Sequence, residues 1–380
     1  MSINSNAYLI ASATQDSNGY LKVIIWNVND DGTITRISDA SAGKITQVSL
    51  TKGGNYYSAG KEVPGQFLVT AAQDSQRNLN VISWQVDENG RVVKKGQASA
   101  GKIGLVSATG LDDLVATATQ DSNGNLKVIV WGIDEYGVIS RKGDSGSAGE
   151  KISQISEGQR GRKTDTGSRR LYTAVQDSNG NLKVIVWEID KNGVISRKGD
   201  SGSAAGKIGL VSTASILIPG DIENDYLATA TQDSNGNLKV IVWEIDKNGV
   251  ISRKGDSGSA AGKIGLVSAT YGRYGYVATA TQDSGGKLKV IVWKVDDKGN
   301  VVTRESDSGS AAGKIGLVSA TDNGYGSVAT ATQDSNGNLK VIVWGIDEYG
   351  VISRKGDSGS AAGKIGLVSA NYVSLPQHLS

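Results

Sequence analysis

One unit is written seven times along this chain, and that constrains its fold more than any other feature of the sequence. Seven tryptophans, Trp26, Trp84, Trp131, Trp187, Trp243, Trp293 and Trp344, lie 58, 47, 56, 56, 50 and 51 residues apart. Each sits in the same frame, clearest in the fifth copy: YLATATQDSNGNLKVIVWEIDKNGVISRKGDSGSAAGKIGLVSA. Residues Gln176–Ser212 and Gln232–Ser268 are identical, as are Gln120–Ala148 and Gln333–Ala361, so some copies arose by recent duplication or recombination. A period of roughly fifty residues belongs to arrays in which one supersecondary unit is stacked or closed on itself.

Each unit reads as four strands. LATATQD is short and Thr-rich, and LKVIVWEI is apolar on both parities, as a strand covered on both faces requires. VISRKGD alternates apolar and polar residues, and KIGLVSA carries a glycine and small residues that suit close backbone approach. Asn-Gly in DSNGN joins the first two strands, and DKNG, DEYG or NDDG joins the next two; both are hairpin turns. No segment has helical periodicity. Four antiparallel strands repeated seven times predict an all-β, seven-bladed β-propeller occupying residues 1–380 as a single domain.

The order KIGLVSA…VATATQDSNGNLKVIVW resembles WD-repeat propellers, in which an apolar inner strand precedes a small-residue strand ending before Asp and a strand ending in Trp. That resemblance implies that KIGLVSA is the innermost strand a, LATATQD b, LKVIVWEI c and VISRKGD the outer strand d. It departs from the family in having no Gly-His dipeptide before strand a and no Asp after the Trp. The chain starts with a strand b (Tyr8–Thr14) and stops after a strand a (Lys364–Ala370), so the C-terminal strand is expected to complete the N-terminal blade. Closure of that kind leaves no long free sheet edge.

Composition excludes several chemistries. There is no cysteine, and the single histidine, His378, is two residues from the C-terminus. Thiolate nucleophiles, disulfides, Zn–Cys and iron–sulfur centres, His-based triads and multi-His metal sites are therefore out. No metal and no cofactor is expected. DSNGN places oxygens like the start of a calcium loop, but position six is Leu and position twelve, counted from Asp121, is Gly132. Forty basic and 38 acidic residues nearly balance, which argues against nucleic acid as a partner. No signal peptide or membrane-length apolar run is visible, so a cytoplasmic protein with no membrane partner is expected. The oligomeric state is not readable.

Two faces follow from strand alternation. One carries the b–c turns and d–a crossovers and is nearly sevenfold. Gln-Asp-Ser recurs there, as at Gln120-Asp121, Gln176-Asp177, Gln232-Asp233, Gln282-Asp283 and Gln333-Asp334, and a lysine opens each strand a: Lys44, Lys102, Lys151, Lys207, Lys263, Lys314 and Lys364. These groups read either as a repeated ligand-binding ring or as structural, with Asp capping its own turn and Lys pairing with Asp. The other face carries the a–b loops, where the copies differ. Tyr56, Tyr57, Arg160, Arg162, Arg169, Arg170, Tyr271, Arg273, Tyr274, Tyr276 and Tyr325 concentrate there and are the candidate binding residues. The tryptophans read as inter-blade core rather than as stacking platforms. The expectation is a non-enzymatic ligand-binding propeller, lectin-like or a protein-interaction scaffold, with a glycan or a protein as partner. The alternative rests on a similarity in flavour to propeller domains of bacterial secondary metabolism, including cyanobacterial aryl-alkylating enzymes. It implies Tyr, Arg and carboxylate catalysis, but no motif of those enzymes carries over residue by residue, and their additional calcium-binding domain is missing.

Overall fold

A computed structural model describes residues 8–53, 57–58, 61–62, 66–147, 150–164, 167–203, 205–218, 220–221, 223–259, 261–273, 275–310, 312–360 and 362–373. Among them the fold is all-β, with no helix. Each repeat unit, numbered here by its tryptophan, folds as the four antiparallel strands its sequence predicts. In unit 5 these are Ile208–Ile216 (a), Asp225–Asp233 (b), Leu238–Ile245 (c) and Ile251–Asp256 (d), hydrogen-bonded in that order. Units 4, 6 and 7 repeat this four-stranded sheet.

Units 1 to 3 are joined into one ten-stranded sheet among the described residues, because two strands run through the d–a crossover: Ile34–Lys52 and Val92–Leu111. The reason is visible in the sequence. Four residues separate Asp39 from Lys44 and Gln97 from Lys102, whereas six separate Asp200 from Lys207. The shorter crossovers lack the Gly-Ser step that interrupts the later ones, so the backbone stays extended from one unit into the next. The last strand, Ile365–Val373, pairs antiparallel with the first, Tyr8–Asp16, setting Val373 opposite Leu9 and Leu367 opposite Gln15.

Strand c is covered on both sides, and the cores lie between neighbouring sheets rather than within one. The cluster that holds Trp243, for example, combines Leu182, Val184 and Val186 of unit 4 with Leu227, Ile241 and Ile245 of unit 5. All seven tryptophans are at most 2% exposed. Each also satisfies its one polar atom: the indole Nε1 donates to a hydroxyl fourteen residues earlier, Ser12 in unit 1 and Thr70, Thr117, Thr173, Thr229, Thr279 and Thr330 in the others, at 2.9–3.0 Å. The Thr-rich character of strand b therefore has a cause, since a buried indole needs an acceptor.

Two further sets of bonds link consecutive sheets. The serine of each VSA-type step accepts from a backbone amide of the next innermost strand. Leu50 donates to Ser369, Ala108 to Ser49, Glu157 to Ser107, Thr213 to Ser156, Ala269 to Ser212, Ala320 to Ser268 and Ala370 to Ser319, all at 2.9–3.1 Å. The Gln of each Gln-Asp-Ser step donates through Nε2 to the carbonyl of the Ile that follows the next lysine, from Gln15 to Ile45 round to Gln333 to Ile365.

Candidate functional site

The repeated polar groups are engaged in the fold. In all seven units the Asp of Gln-Asp-Ser accepts through Oδ1 from the amides two and four residues on, at 2.8–2.9 Å, which closes the b–c turn. In the later units Oδ2 accepts from a crossover serine, as Asp233 does from Ser259 at 2.7 Å. Burial alone pushes the Asp233 carboxyl up, but bonds from Ser259, Asn237 and Asn235 outweigh it and hold the group below the usual carboxylate range. The lysine that opens strand a forms no ion pair among the described residues. The carboxylate that ends strand d is paired instead by the strand-c lysine and the strand-d arginine, as Asp256 is by Lys239 (3.5 Å) and Arg253.

The candidate binding residues separate into three groups. Arg169, Arg170 and Tyr276 are buried staples between sheets. Arg169 pairs with Asp112 (3.5 Å) and with Asp113 of unit 3. Arg170 reaches the Asp225 carboxylate of unit 5 at 3.4 Å and donates to the carbonyls of Asp246 and Lys247 in that unit's c–d turn. Tyr276, 3% exposed, donates to the Glu348 carbonyl of unit 7 at 3.3 Å. The segment from Ser156 to Arg170 is also less of a loop than its composition implies: strand a continues to Lys163, which faces Arg169 across the hairpin. The second group stays accessible. Tyr325 is 74% exposed, and Arg273 donates to its carbonyl at 3.3 Å while Tyr271 lies half-buried beside them. Tyr56 and Tyr274, and the side chains of Tyr57, Arg160 and Arg162, lie outside the described residues.

Tyr271 and Tyr325 open onto a cavity of about 820 Å³ at the end of the strands where the a–b loops begin. Its wall is built from the last residues of the innermost strands. At the third position after the bridging serine, the units place Lys52, Gly110, Gln159, Ser215, Tyr271, Asp322 and Tyr372, and no chemical group is shared by most of them. Three bear chemistry and stand close together. Asp322 accepts from Thr270 Oγ1 (2.8 Å) and from the Gly324 amide (2.9 Å). Lys52 Nζ lies 4.7 Å from the centroid of the Tyr372 ring, which in turn is 5.9 Å from that of Tyr8.

Electrostatics tune these groups toward each other. Burial raises the Asp322 carboxyl above its ordinary range, against the pull of Thr270, Gly324 and Lys52. Burial lowers the Lys52 ammonium, against Asp322. The Tyr372 phenol is pushed up by burial and by Tyr325, so it stays a proton donor. A fourth group, Glu157, belongs to the same wall but not to the same chemistry. Neither of its carboxylate oxygens touches solvent, and neither has a hydrogen bond of good geometry, the Ala118 amide being the one donor near enough to act on it. Burial holds that carboxyl well above the carboxylate range, with the Ala118 amide opposing. Lys52, Asp322, Glu157 and Tyr372 were not singled out from the sequence. Aligning the seven units on the bridging serine finds them: Lys52, Asp322 and Tyr372 stand in the third column after it, where units otherwise nearly identical diverge, and Glu157 is the one charged residue in the first.

No protein-family model and no curated sequence matches the chain. Solved structures do. A candidate 6-phosphogluconolactonase from Bacteroides fragilis superimposes with a TM-score of 0.61 at 14% identity, over 98% of this chain and 99% of that one. The periplasmic gluconolactonase PpgL of Pseudomonas aeruginosa gives 0.61 at 12%, over 98% and 100%. Saccharomyces cerevisiae Sqt1 gives 0.55 at 13%, over 95% and 84%. The fold is of the β-propeller type. These neighbours overturn the expectation of a lectin-like or protein-interaction propeller and its aryl-alkylating alternative: none of the three is a lectin, and two are named as lactonases. The physical reason for the error lies in the arginines and tyrosine placed on a receptive surface, since Arg169, Arg170 and Tyr276 are spent on holding sheets together.

Proposed function

We propose that residues 1–380 form one domain, a ring of seven blades closed by its C-terminal strand, and that its cavity hydrolyses a cyclic ester of a sugar acid. Closure is supported by the pairing of Ile365–Val373 with Tyr8–Asp16 and by the serine links, which return from Ala370–Ser319 to Leu50–Ser369 after seven steps. Kinship with WD-repeat propellers rests on strand order alone.

The catalytic reading is carried by the juxtaposition of Asp322, Lys52 and Tyr372 in one cavity wall, built at the column where the units diverge. Opening a lactone needs a base for the attacking water, a cation facing the carbonyl oxygen as it turns negative, and an acid for the departing ring oxygen. Asp322 takes the water proton, Lys52 faces the developing oxyanion, and the Tyr372 phenol protonates the ring oxygen as the C–O bond breaks. The proton on Asp322 returns to Tyr372 through solvent, and the new carboxylic acid releases its own. The names of the two lactonase neighbours favour this substrate class.

Both flanks of the pH profile are shifted inward. The rate rises as Asp322 loses its proton, above the usual carboxylate range, and falls as Lys52 loses its own, below the usual lysine range. Proton release from δ-gluconolactone and its 6-phosphate tests the proposal. Asp322→Asn is expected to lower kcat by about 10²–10⁴-fold with an unchanged melting temperature. No turnover above spontaneous ring opening for either lactone, or full activity in both Asp322→Asn and Lys52→Gln, would overturn it.

A further inference from the structure

The opposite ends of the same innermost strands are as uniform as the cavity wall is varied. Each opens with an exposed lysine: Lys44, Lys102, Lys151, Lys207, Lys263, Lys314 and Lys364. Their backbones are fixed, since each pairs with a residue that follows the preceding unit's b–c turn, as Lys207 does with Asn181 and Lys263 with Asn237. Lys44 Nζ lies 5.4 Å from the centroid of the Tyr20 ring, while the other six form no ion pair or ring contact among the described residues, because other side chains neutralise the nearby strand-d carboxylates. Duplication does not account for the uniformity. Units 2 and 4 have drifted at the following positions, to Thr46-Gln47 and Ser153-Gln154 in place of Gly-Leu, yet keep Lys44 and Lys151.

A second observation points to one place on this face. A cavity of about 430 Å³ lies between units 2 and 3, lined by Arg77, Lys102, Gln120, Asp121, Ser122 and Asn123 among others. Arg77 ends a b–c turn at φ 68°, where the six other units place glycine at φ 77–86°. A side chain with a Cβ is strained there. Unit 2 thus tolerates a strained backbone at the position that sets a guanidinium beside Lys102. Asp121, held ionised by the amides of Asn123 and Asn125 and by Ser147, sets one negative charge in the same cavity against these two cations.

We propose that this face binds a multiply charged phosphate, seated between Arg77 and Lys102 and held within the surrounding lysine ring. A polyanion gains attraction from several of these fixed lysines at once. The guanidinium supplies paired donors to phosphate oxygens, and the lysines act as point charges. This site is at the far end of the strands from Asp322 and stands or falls independently of the lactonase reading.

Calorimetric titration of the full chain with sodium tripolyphosphate, and separately with inorganic phosphate, tests it. Saturable tripolyphosphate binding is expected, weakening steeply with added salt. Tight binding of inorganic phosphate as well would place recognition in the Arg77–Lys102 seat alone, whereas a preference for the longer anion would show that the ring takes part. Arg77→Gly separates binding from folding: it restores the residue the other turns use, so the melting temperature is expected to rise while affinity falls about fivefold. The triple variant Lys207→Gln, Lys263→Gln, Lys314→Gln is expected to weaken tripolyphosphate further. Lys191→Gln, Lys247→Gln, Lys298→Gln removes the same charge from the opposite face and is expected to change nothing. No saturable binding, or equal losses in the two triple variants, would overturn the proposal.

Discussion

A buried carboxylate with no cation beside it is the clearest anomaly at the scale of single residues. At Glu157 the other units place Leu50, Ala108, Thr213, Ala269, Ala320 or Ala370, all small or apolar groups suited to the space between sheets. A charged oxygen there is uncompensated, so the group keeps its proton well above the carboxylate range. The folded state therefore binds the proton that the unfolded chain gives up near pH 4.5, and stability falls as pH rises from there toward the raised folded value. Glu157→Ala is expected to stabilise the protein by about 1–3 kcal/mol at neutral pH, and more in alkali. Glu157→Gln is expected to flatten the pH dependence without the full gain. Chemical denaturation at several pH values measures both; a wild-type stability that rises with pH in that range contradicts the assignment. The tryptophans are the ordinary counterpart. Trp243→Ala is expected to cost about 3–5 kcal/mol, through lost contacts and a cavity in the cluster it shares with Leu182 and Val186.

At the scale of elements, the strand-b residue six positions before the Gln of Gln-Asp-Ser decides how one sheet meets the next. Phe67, Tyr226 and Tyr276 occupy it with aromatic rings, and each lies against the c–d turn glycine of the following unit: Gly137, Gly299 and Gly350. Arg170 stands at the same position in unit 4 and does the same work with charge, gripping two carbonyls of the unit 5 turn and the Asp225 carboxylate, which also accepts from the Tyr172 hydroxyl. Arg170→Ala is expected to destabilise the fold by about 3–5 kcal/mol, because it removes the buried cation paired with Asp225. An unchanged melting curve would mean that the arginine serves a ligand instead. This element also shows what the sequence made legible. Strand c could be read directly, since apolar residues on both parities admit one interpretation. Arg169 and Arg170 could not, because a basic, glycine-rich stretch looks solvated until its partners, Asp113 and Asp225, some 56 and 55 residues away in sequence, are brought beside it. The cavity wall was missed for a related reason. Lys52 and Asp322 are far apart in sequence, and only the fold sets them at the same height, on the innermost strands that flank Ile365–Val373.

For the whole molecule, the inferred ring makes stability depend on a bond between the two ends of the chain. The strand Ile365–Val373 supplies the inner edge of the first sheet, the acceptor Ser369 for Leu50, and the carbonyl of Ile365 that receives Gln333. It also packs Val373 and Leu367 into the cluster containing Leu9, Trp84 and Leu50. Truncation after Gly363 removes all of these together and leaves Tyr8–Asp16, an apolar strand, as an unpaired edge. Such an edge pairs with whatever strand it meets. The truncated chain is expected to lose cooperative unfolding and to run on size-exclusion chromatography as dimers and larger species. The isolated peptide covering residues 364–380, added in excess, is expected to restore the monomer, since it provides the missing strand without the covalent link. A truncated chain that stays monomeric with an unaltered melting curve would show that the first three strands do not depend on the last, and the ring would have to be closed by other contacts.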